Sequence, residues 1–190
     1  MKRLIFDTET TGLPSTWSAS PNDVSVWPRI VELAWIVFNE ENQATSSPSF
    51  IVKPEGFTIP IEASKVHGIS NEKAIAEGVS LRTVMNTFAE DLSEVNEIIA
   101  HNIDFDYPVV NCEFERLEIQ TNIHDLTRTC TMKSTREYCN IQGNIGLKWP
   151  SMQELYQHLF NRGFKNAHRA SKDVFACAEC YVELKQRNII

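Results

Sequence analysis

Two carboxylates, Asp7 and Glu9, lie at alternate positions near the start of the chain, in the segment FDTETTG of residues 6–12. Side chains alternate along a β-strand, so both carboxylates point to one face, roughly 7 Å apart. Two such groups can hold one hard cation such as Mg²⁺. Three neighbouring residues offer backbone N–H groups to an anionic substrate: Thr10, Thr11 and Gly12. The other interpretation is a polar strand end that leads into a turn.

Two further acids, Asp173 and Asp106, lie where a carboxylate either costs free energy on burial or has a structural role. Asp173 falls within the apolar stripe of a helix predicted over 169–186, where it needs a cation, a hydrogen-bond network or a salt bridge at the rim. Asp106 follows a buried strand predicted over 97–101, close to the start of the next helix. That position suits an N-cap residue, which is its purely structural interpretation.

The elements that position these acids are predicted from hydrophobic periodicity. Strands are predicted at 2–6, 29–39, 49–53, 97–101 and near 126, and helices near 61–67, 72–77, after Ser80, at 107–119, 133–139, after Ser151 and at 169–186. Pro108 is expected in the first turn of its helix. Strands followed by alternating strands and helices predict a mixed α/β sheet covered by helices. The proline-rich loop between Pro14 and Pro28 is long enough to suggest a function.

Composition fits one globular domain. The 190 residues are 42% hydrophobic and 23% charged, and the longest apolar run spans six residues, from Leu33 to Phe38. We therefore expect no signal peptide, no membrane span and a cytoplasmic location. The five cysteines are expected to be reduced thiols. Cys177 and Cys180 have the spacing of half a zinc motif, but the second half is missing, so a zinc site is not favoured.

Charge is distributed unevenly. The net charge of −7 argues at first against a polyanionic partner. However, residues 1–120 contain 8 basic and 19 acidic residues, whereas residues 121–172 contain 8 basic and 3 acidic ones. Six of the basic residues are candidates for a surface that follows a phosphate backbone: Lys133, Arg136, Lys148, Lys165, Arg169 and Lys172.

Three segments together resemble the motifs of a known enzyme group. They are DTETTGL at 7–13, HNIDFD at 101–106 and HRASKD at 168–173, and the segment VHGIS at 66–70 resembles a connecting motif. In this order they resemble the DEDD superfamily of 3′-to-5′ exonucleases, in the branch with a catalytic histidine. That branch includes the proofreading subunit of bacterial replicative polymerases. The sister branch has tyrosine where this chain has Arg169.

The resemblance implies a fold and a set of roles. The fold is ribonuclease H-like, an α/β fold with a five-stranded mixed sheet and helices on both faces. Asp7 would bridge two divalent metal ions, Mg²⁺ with Mn²⁺ as a substitute, and Glu9 and Asp173 would bind the ion that carries the attacking water. Asp106 would support the other ion, directly or through water, and His168 would act as general base. Two ions about 4 Å apart stabilise both the attacking and the leaving oxygen of a phosphoryl displacement.

Substrate contacts are expected from residues around these acids. Leu13 resembles a wedge against the terminal base and Phe105 a stacking residue, although either could equally be a core residue. The full set of predicted substrate-binding residues is Thr10, Thr11, Gly12, Leu13, His67, His101, Asn102 and Phe105. Glu32, in an otherwise apolar strand, receives no assignment.

The sequence therefore predicts a single domain, residues 1–190, that is a metal-dependent 3′-to-5′ exonuclease. It would bind the 3′ end of a single-stranded nucleic acid and release nucleoside 5′-monophosphates, with DNA favoured. One alternative is an RNA-trimming exoribonuclease or oligoribonuclease. Another is a catalytically silent module that binds nucleic acid or a polymerase. A polymerase partner would be a separate chain.

Overall fold

The computed structural model describes residues 1–164 and 169–190. The described residues form six strands and eight helices. The strands are β1 (Arg3–Thr10), β2 (Ile30–Phe38), β3 (Ala44–Ser46), β4 (Ser49–Ile51), β5 (Glu97–Ala100) and β6 (Thr127–Cys130). The helices are α1 (Ile61–His67), α2 (Asn71–Glu77), α3 (Leu81–Ser93), α4 (Ile103–Leu117), α5 (Thr131–Ser134), α6 (Arg136–Cys139), α7 (Met152–Phe160) and α8 (Ala170–Gln186).

The strands form one mixed sheet in the order β3-β2-β1-β5-β6, with β4 also paired to β2. β1 runs antiparallel to β2 and parallel to β5. The sheet has six strands and not the predicted five, because β3 and β4 lie in series along β2. Pro48 lies between them, and its missing N–H cannot continue the ladder.

Helices cover both faces of the sheet. On one face, α3 and α4 pack against a core that includes Phe6, Trp35 and Phe88. On the other face, α8 packs through Ala170, Val174 and Cys177 against residues of β1 and β2. Burial of these apolar surfaces is the main force that fixes the two layers on the sheet. Within the described ranges, no helix has both the length and the apolar character needed to cross a bilayer.

Helix α4 begins four residues before its predicted start. Asn102 adopts a left-handed conformation at φ 83°, so the chain turns sharply after β5 and becomes helical at Ile103. Pro108 lies inside the helix, beyond the first turn where it was predicted, and removes the hydrogen bond to the carbonyl of Asp104. The interpretation of Asp106 as the N-cap is therefore wrong, since Asn102 holds that position.

Candidate metal-dependent active site

Three carboxylates converge at the end of β1. One carboxylate oxygen from each of Asp7, Glu9 and Asp173 lies within 4.8 Å of the other two, and all three residues are half-buried. Asp7 and Glu9 share a face of β1 because side chains alternate along a strand. Asp173 reaches them from the first turn of α8, which packs across β1 and β2. This arrangement joins residues separated by more than 160 positions in the sequence.

Glu32 of β2 fixes the start of α8, and with it Asp173. Its buried carboxylate accepts hydrogen bonds from Arg169 Nε at 3.0 Å, Arg169 Nη2 at 2.9 Å and the backbone N–H of Ala170 at 3.1 Å. The backbone N–H of Arg169 in turn donates to Asp173 Oδ2 at 3.0 Å. In the sequence, a charged residue within an apolar strand indicated that Glu32 needs a partner. It did not indicate that the partner is Arg169.

Asp106 lies behind the three-acid group. It is 3% exposed, and its Oδ1 accepts hydrogen bonds from the backbone N–H of Thr8 at 3.0 Å and from Thr8 Oγ1 at 2.7 Å. β1 and β5 pair only from Arg3 to Ile5, so Asp106 satisfies a strand N–H that β5 no longer reaches. Among the described residues, the acids whose oxygens converge are the three named above, without Asp106.

Burial and repulsion from neighbouring carboxylates raise the pKa values of Asp7, Glu9 and Asp106. Burial, with further contributions from Asp106 and Asp173, holds the pKa of Asp7 well above its ordinary value. Burial and the charges of Asp173 and Glu32 raise the pKa of Glu9 to about 8. Burial also raises the pKa of Asp106 to about 7, against the opposing effect of its hydrogen bonds from Thr8. Carboxylates that repel one another in this way favour a bound cation.

The donor set fits a hard divalent cation. All three converging groups offer oxygen ligands, which Mg²⁺ and Mn²⁺ prefer, and no thiol or imidazole of the described residues joins them. The carboxylates face a cavity of about 300 Å³. Its described lining comprises Asp7, Thr8, Glu9, His101, Ser151, Met152, Gln153, Phe164 and Asp173. A cation at the acids would therefore be open to a phosphodiester entering this cavity.

His101 joins two elements at the cavity wall. Its Nδ1 lies 3.0 Å from Thr131 Oγ1 and its Nε2 lies 3.1 Å from the carbonyl oxygen of Pro150. Burial lowers its pKa to about 4, although the Pro150 carbonyl opposes the shift. The ring is therefore neutral at pH 7, with Nε2 assigned as the donor and Nδ1 as the acceptor. Both nitrogens have partners within the protein, so His101 has a structural role where β5 ends, in addition to its predicted role in binding substrate.

Two of the three backbone N–H groups expected to face a substrate, those of Thr11 and Gly12, have partners within the protein. The N–H of Thr11 donates to the carbonyl oxygen of Arg29 at 2.9 Å, and that of Gly12 donates to Thr10 Oγ1 at 3.4 Å. Gly12 has φ 151°, a conformation that other residues rarely adopt. Leu13 follows with 73% of its surface exposed, an apolar side chain available to a ligand beside the acids.

The other predicted substrate-binding residues, His67, Asn102 and Phe105, differ in their burial and in their contacts within the protein. His67 is 3% exposed and accepts a hydrogen bond at Nδ1 from the N–H of Ile69 at 3.2 Å. Burial lowers its pKa, and the backbone of Thr10 opposes that shift, which places His67 beside the end of β1. Asn102 forms the left-handed turn before α4. Phe105 is half-buried and packs against two tryptophans.

Four of the six candidate phosphate-tracking residues are held by protein partners. Lys133 pairs with Asp104, Lys148 with Glu154 and Arg169 with Glu32. Arg136 donates from Nε and Nη2 to the carbonyl oxygen of Leu147. This gives them structural roles that sequence spacing did not indicate. His168, the predicted general base, and Lys165 lie outside the described residues.

The fold and the acids define a class of protein: an α/β domain with a cluster of carboxylates at the edge of a mixed sheet, where oxygen ligands could hold a cation for metal-assisted hydrolysis. Comparison with known proteins then identifies the family. The family model described as Exonuclease (RNase_T) matches residues 4–181, and the chain belongs to that family. The predicted resemblance to DEDD exonucleases and the predicted enzyme class are confirmed.

Individual relatives agree with this assignment. DNA polymerase III subunit epsilon of Rickettsia prowazekii is 29% identical over 184 residues, which covers 97% of this chain and 74% of that protein. E. coli exonuclease I in complex with a dT13 oligonucleotide superposes with a TM-score of 0.75 at 21% identity, covering 98% of this chain. A zinc-bound complex of E. coli exonuclease I with single-stranded DNA gives 0.73 at 23% identity.

The superposition confirms the predicted ribonuclease H-like fold. The chain spans only 41% of exonuclease I in the dT13 complex and 40% in the zinc-bound complex.

Proposed function

We propose that residues 1–190 act as a single 3′-to-5′ exonuclease domain that releases nucleoside 5′-monophosphates from single-stranded nucleic acid, with DNA favoured. The observation that carries the proposal is the convergence of Asp7, Glu9 and Asp173 at one cavity, in a chain of the exonuclease family. A silent binding module would have no use for three converging carboxylates, two of which, Asp7 and Glu9, have raised pKa values.

The carboxylates are proposed to hold divalent metal, Mg²⁺ by preference with Mn²⁺ as a substitute. Asp7, Glu9 and Asp173 would bind one ion, and Asp106 would support a second, directly or through water. Metal bound here would supply a nucleophile at neutral pH and neutralise charge on the phosphoryl group. The protein's own contribution is to hold these carboxylates in place, through Thr8 for Asp106 and through Glu32 and Arg169 for Asp173.

Roles around the metal site complete the proposal. His168 would accept a proton from the attacking water, as its motif implies. Leu13 and Phe105 would contact the terminal bases, Thr10, Thr11 and Gly12 would shape the turn beneath them, and His67, His101 and Asn102 would shape the surrounding walls. Exposed Leu13 supports this arrangement most directly, because a large apolar side chain gains by being covered by a ligand.

A polymerase partner and a cytoplasmic location also belong to the proposal. The relatives identified by sequence are named as DNA polymerase III epsilon subunits, which supports a polymerase as a separate partner chain. The same relatives support the choice of DNA, as does the oligonucleotide in the exonuclease I complex. RNA is the alternative substrate, because the phosphate group on which the site would act is common to DNA and RNA.

Digestion of labelled oligonucleotides tests the proposal. Single-stranded DNA and RNA carrying a 5′ label are incubated with the protein in Mg²⁺, in Mn²⁺ and in excess chelator, beside the Asp7→Asn variant. A ladder that shortens from the 3′ end, with mononucleotide product, is expected for DNA in either metal. Faster RNA digestion would establish the exoribonuclease alternative. No cleavage of either polymer, with binding retained, would establish the silent module.

A further inference from the structure

The loop that connects β1 to β2 is attached to α4 by side-chain hydrogen bonds from Asn111 and Arg116. The side-chain amide of Asn111, fully buried, donates to the carbonyl oxygen of Pro21 at 3.1 Å and to Asn22 Oδ1 at 3.0 Å. Arg116 Nη2 donates to the carbonyl oxygens of Val24 at 2.6 Å and Trp27 at 2.8 Å. The loop therefore presents a defined surface above α4.

That surface is aromatic. Trp17, Trp27 and Phe105 form a triad with ring centroids 6.0 to 6.4 Å apart. Trp27 is 4% exposed and donates from Nε1 to the carbonyl oxygen of Ser20 at 2.9 Å, so it supports the group from below. Trp17 is 56% exposed. An exposed tryptophan held against two other rings is a surface for a flat ligand.

Beside the triad lies a cavity of about 460 Å³, here named the aromatic cavity. Its described lining is Trp17, Ala19, Pro21, Trp27, Ile103, Asp104, Tyr107, Pro108, Arg128, Cys130 and Lys133. The guanidinium of Arg128 lies 4.4 Å from the centroid of the Tyr107 ring. Lys133 is paired with Asp104, whereas no carboxylate in the described ranges pairs with the exposed Arg128. Arg128 is thus the cation available to an anionic ligand.

The aromatic cavity and the acids lie on opposite sides of the same helical turn. Asp106 points from α4 to Thr8 at the active site, whereas Asp104 and Tyr107 of the same turn line the aromatic cavity. The loop that carries Trp17 begins directly after β1, which carries Asp7 and Glu9. His101 lines the cavity at the acids, and Ile103, two residues further along the chain, lines the aromatic cavity, so the two cavities lie on either side of the start of α4. A strand bound at the acids would reach the aromatic cavity by passing the start of α4.

We propose that the aromatic cavity binds a nucleobase of the substrate strand, 5′ to the terminal nucleotide, with the base stacked on Trp17 and its phosphate near Arg128. The inference rests on the proposed function for the identity of the strand. Stacking on aromatic side chains next to a free arginine is how proteins bind single strands without reading their sequence. The site would therefore increase affinity for strands longer than the terminal nucleotide.

The test measures binding without hydrolysis. The fluorescence anisotropy of a 5′-labelled single-stranded 12-mer, and of a matched 12-mer that has abasic sites at several positions 5′ of its terminal nucleotide, is measured as protein is added in excess EDTA. The wild type should bind the abasic strand roughly tenfold more weakly. Trp17→Ala should bind the intact strand more weakly by a similar factor, with no further loss on the abasic strand. Trp17→Phe should retain most of the affinity.

Trp149→Ala is the matched control, because Trp149 is also 56% exposed and does not line the aromatic cavity. It should bind both strands like the wild type.

Arg128→Gln tests the same cavity through a second exposed side chain and should weaken binding of the intact strand. Equal affinity of Trp17→Ala and wild type for the intact strand would overturn the inference, and so would an undiminished abasic penalty in Trp17→Ala. Hydrolysis plays no part in the titration, so these results are separate from a failure of the digestion assay.

Discussion

At the residue scale, the candidate active site is a group of carboxylates that repel one another. Asp7, Glu9 and Asp173 converge within 4.8 Å, and burial with mutual repulsion raises the pKa values of Asp7 and Glu9. A site of this kind is unfavourable for the metal-free fold and favourable for a bound cation. Removal of one acid should therefore affect activity and stability in opposite directions.

The first prediction concerns the ligands. Asp7→Asn and Asp173→Asn should each abolish turnover while the protein stays folded, because each removes a cation ligand and no packing group. In EDTA their melting temperatures should equal or exceed that of the wild type, since repulsion is relieved. Oligonucleotide digestion and thermal unfolding measure both effects. Glu41→Gln, an exposed change away from the site, is the control. Full activity of either aspartate variant would exclude these residues as ligands.

The second prediction concerns His168. An unperturbed imidazole has a pKa near about 6.5, so it can accept a proton at neutral pH, and general-base help is worth roughly 10²- to 10⁴-fold. His168→Gln should lose kcat by that order. Its Mg²⁺ requirement should change little because the carboxylates remain. Steady-state kinetics with a Mg²⁺ titration measures this, beside His158→Gln, an exposed control. Wild-type kcat, with chemistry rate-limiting, would mean that another group accepts the proton.

At the element scale, helix α8 must start at a fixed point for Asp173 to reach β1. Its start is bonded to β2 through Glu32, which accepts two bonds from the Arg169 guanidinium and one from the Ala170 N–H. The helix also packs on the sheet through Ala170 and Val174. Apolar packing holds α8 against the sheet, whereas the contacts of Glu32 determine where the first turn of α8 begins.

The third prediction follows from those contacts. Glu32→Gln should lower stability by about 1.5–3 kcal/mol, because a charge-assisted hydrogen-bond pair is lost near the buried end of a helix. The Mg²⁺ concentration needed for half-maximal activity should also rise, since Asp173 is held less firmly. Denaturant unfolding and Mg²⁺ titrations of Glu32→Gln, Arg169→Gln and the double variant form a mutant cycle. Strict additivity in the cycle would show that the two side chains act independently.

At the scale of the whole molecule, the acid cluster links folding, protons and metal. Glu9, with a pKa of about 8, and Asp106, with one of about 7, bind protons in the folded protein at pH values where the unfolded chain has released them. Because the pKa values of Glu9 and Asp106 are higher in the folded protein than in the unfolded chain, their protonated forms stabilise the fold at low pH. This contribution to the free energy of unfolding is lost as the pH rises through about 7 to 8. A bound cation would replace those protons.

The fourth prediction is a pH-dependent effect of metal on stability. In EDTA the melting temperature should fall between about pH 5.5 and about pH 8.5, because the cluster loses protons over this range. Mg²⁺ should raise it more at the higher pH, where the cation does not have to displace protons. Thermal unfolding with and without Mg²⁺ at both pH values measures this, and Glu9→Gln should reduce the contrast. A Mg²⁺ effect of equal size at both pH values would contradict the link.

Much of the architecture follows from the order of residues alone. The alternation in β1 places Asp7 and Glu9 on one face, and the capping box of Ser151 and Glu154 starts α7 at its predicted position. These features depend on interactions over a few residues, so local pattern determines them. The ordered motifs also predicted the family before any contact was known, because they preserve residue types at fixed spacing.

Only the tertiary structure decided the features that depend on long-range pairing. Glu32 pairs with Arg169, which lies 137 positions further along the chain, and Asp106 accepts a hydrogen bond from Thr8 across 98 positions. The N–H of Thr11 donates to the carbonyl oxygen of Arg29. The early start of α4 came from a left-handed Asn102, a conformation that hydrophobic periodicity does not report. The sequence thus determined which acids are present and on which elements Asp7, Glu9 and Asp173 lie, whereas Asp106 was expected before α4 and lies inside it. Folding decided which of them meet, because a carboxylate's neighbours are set by how the helices and the sheet pack.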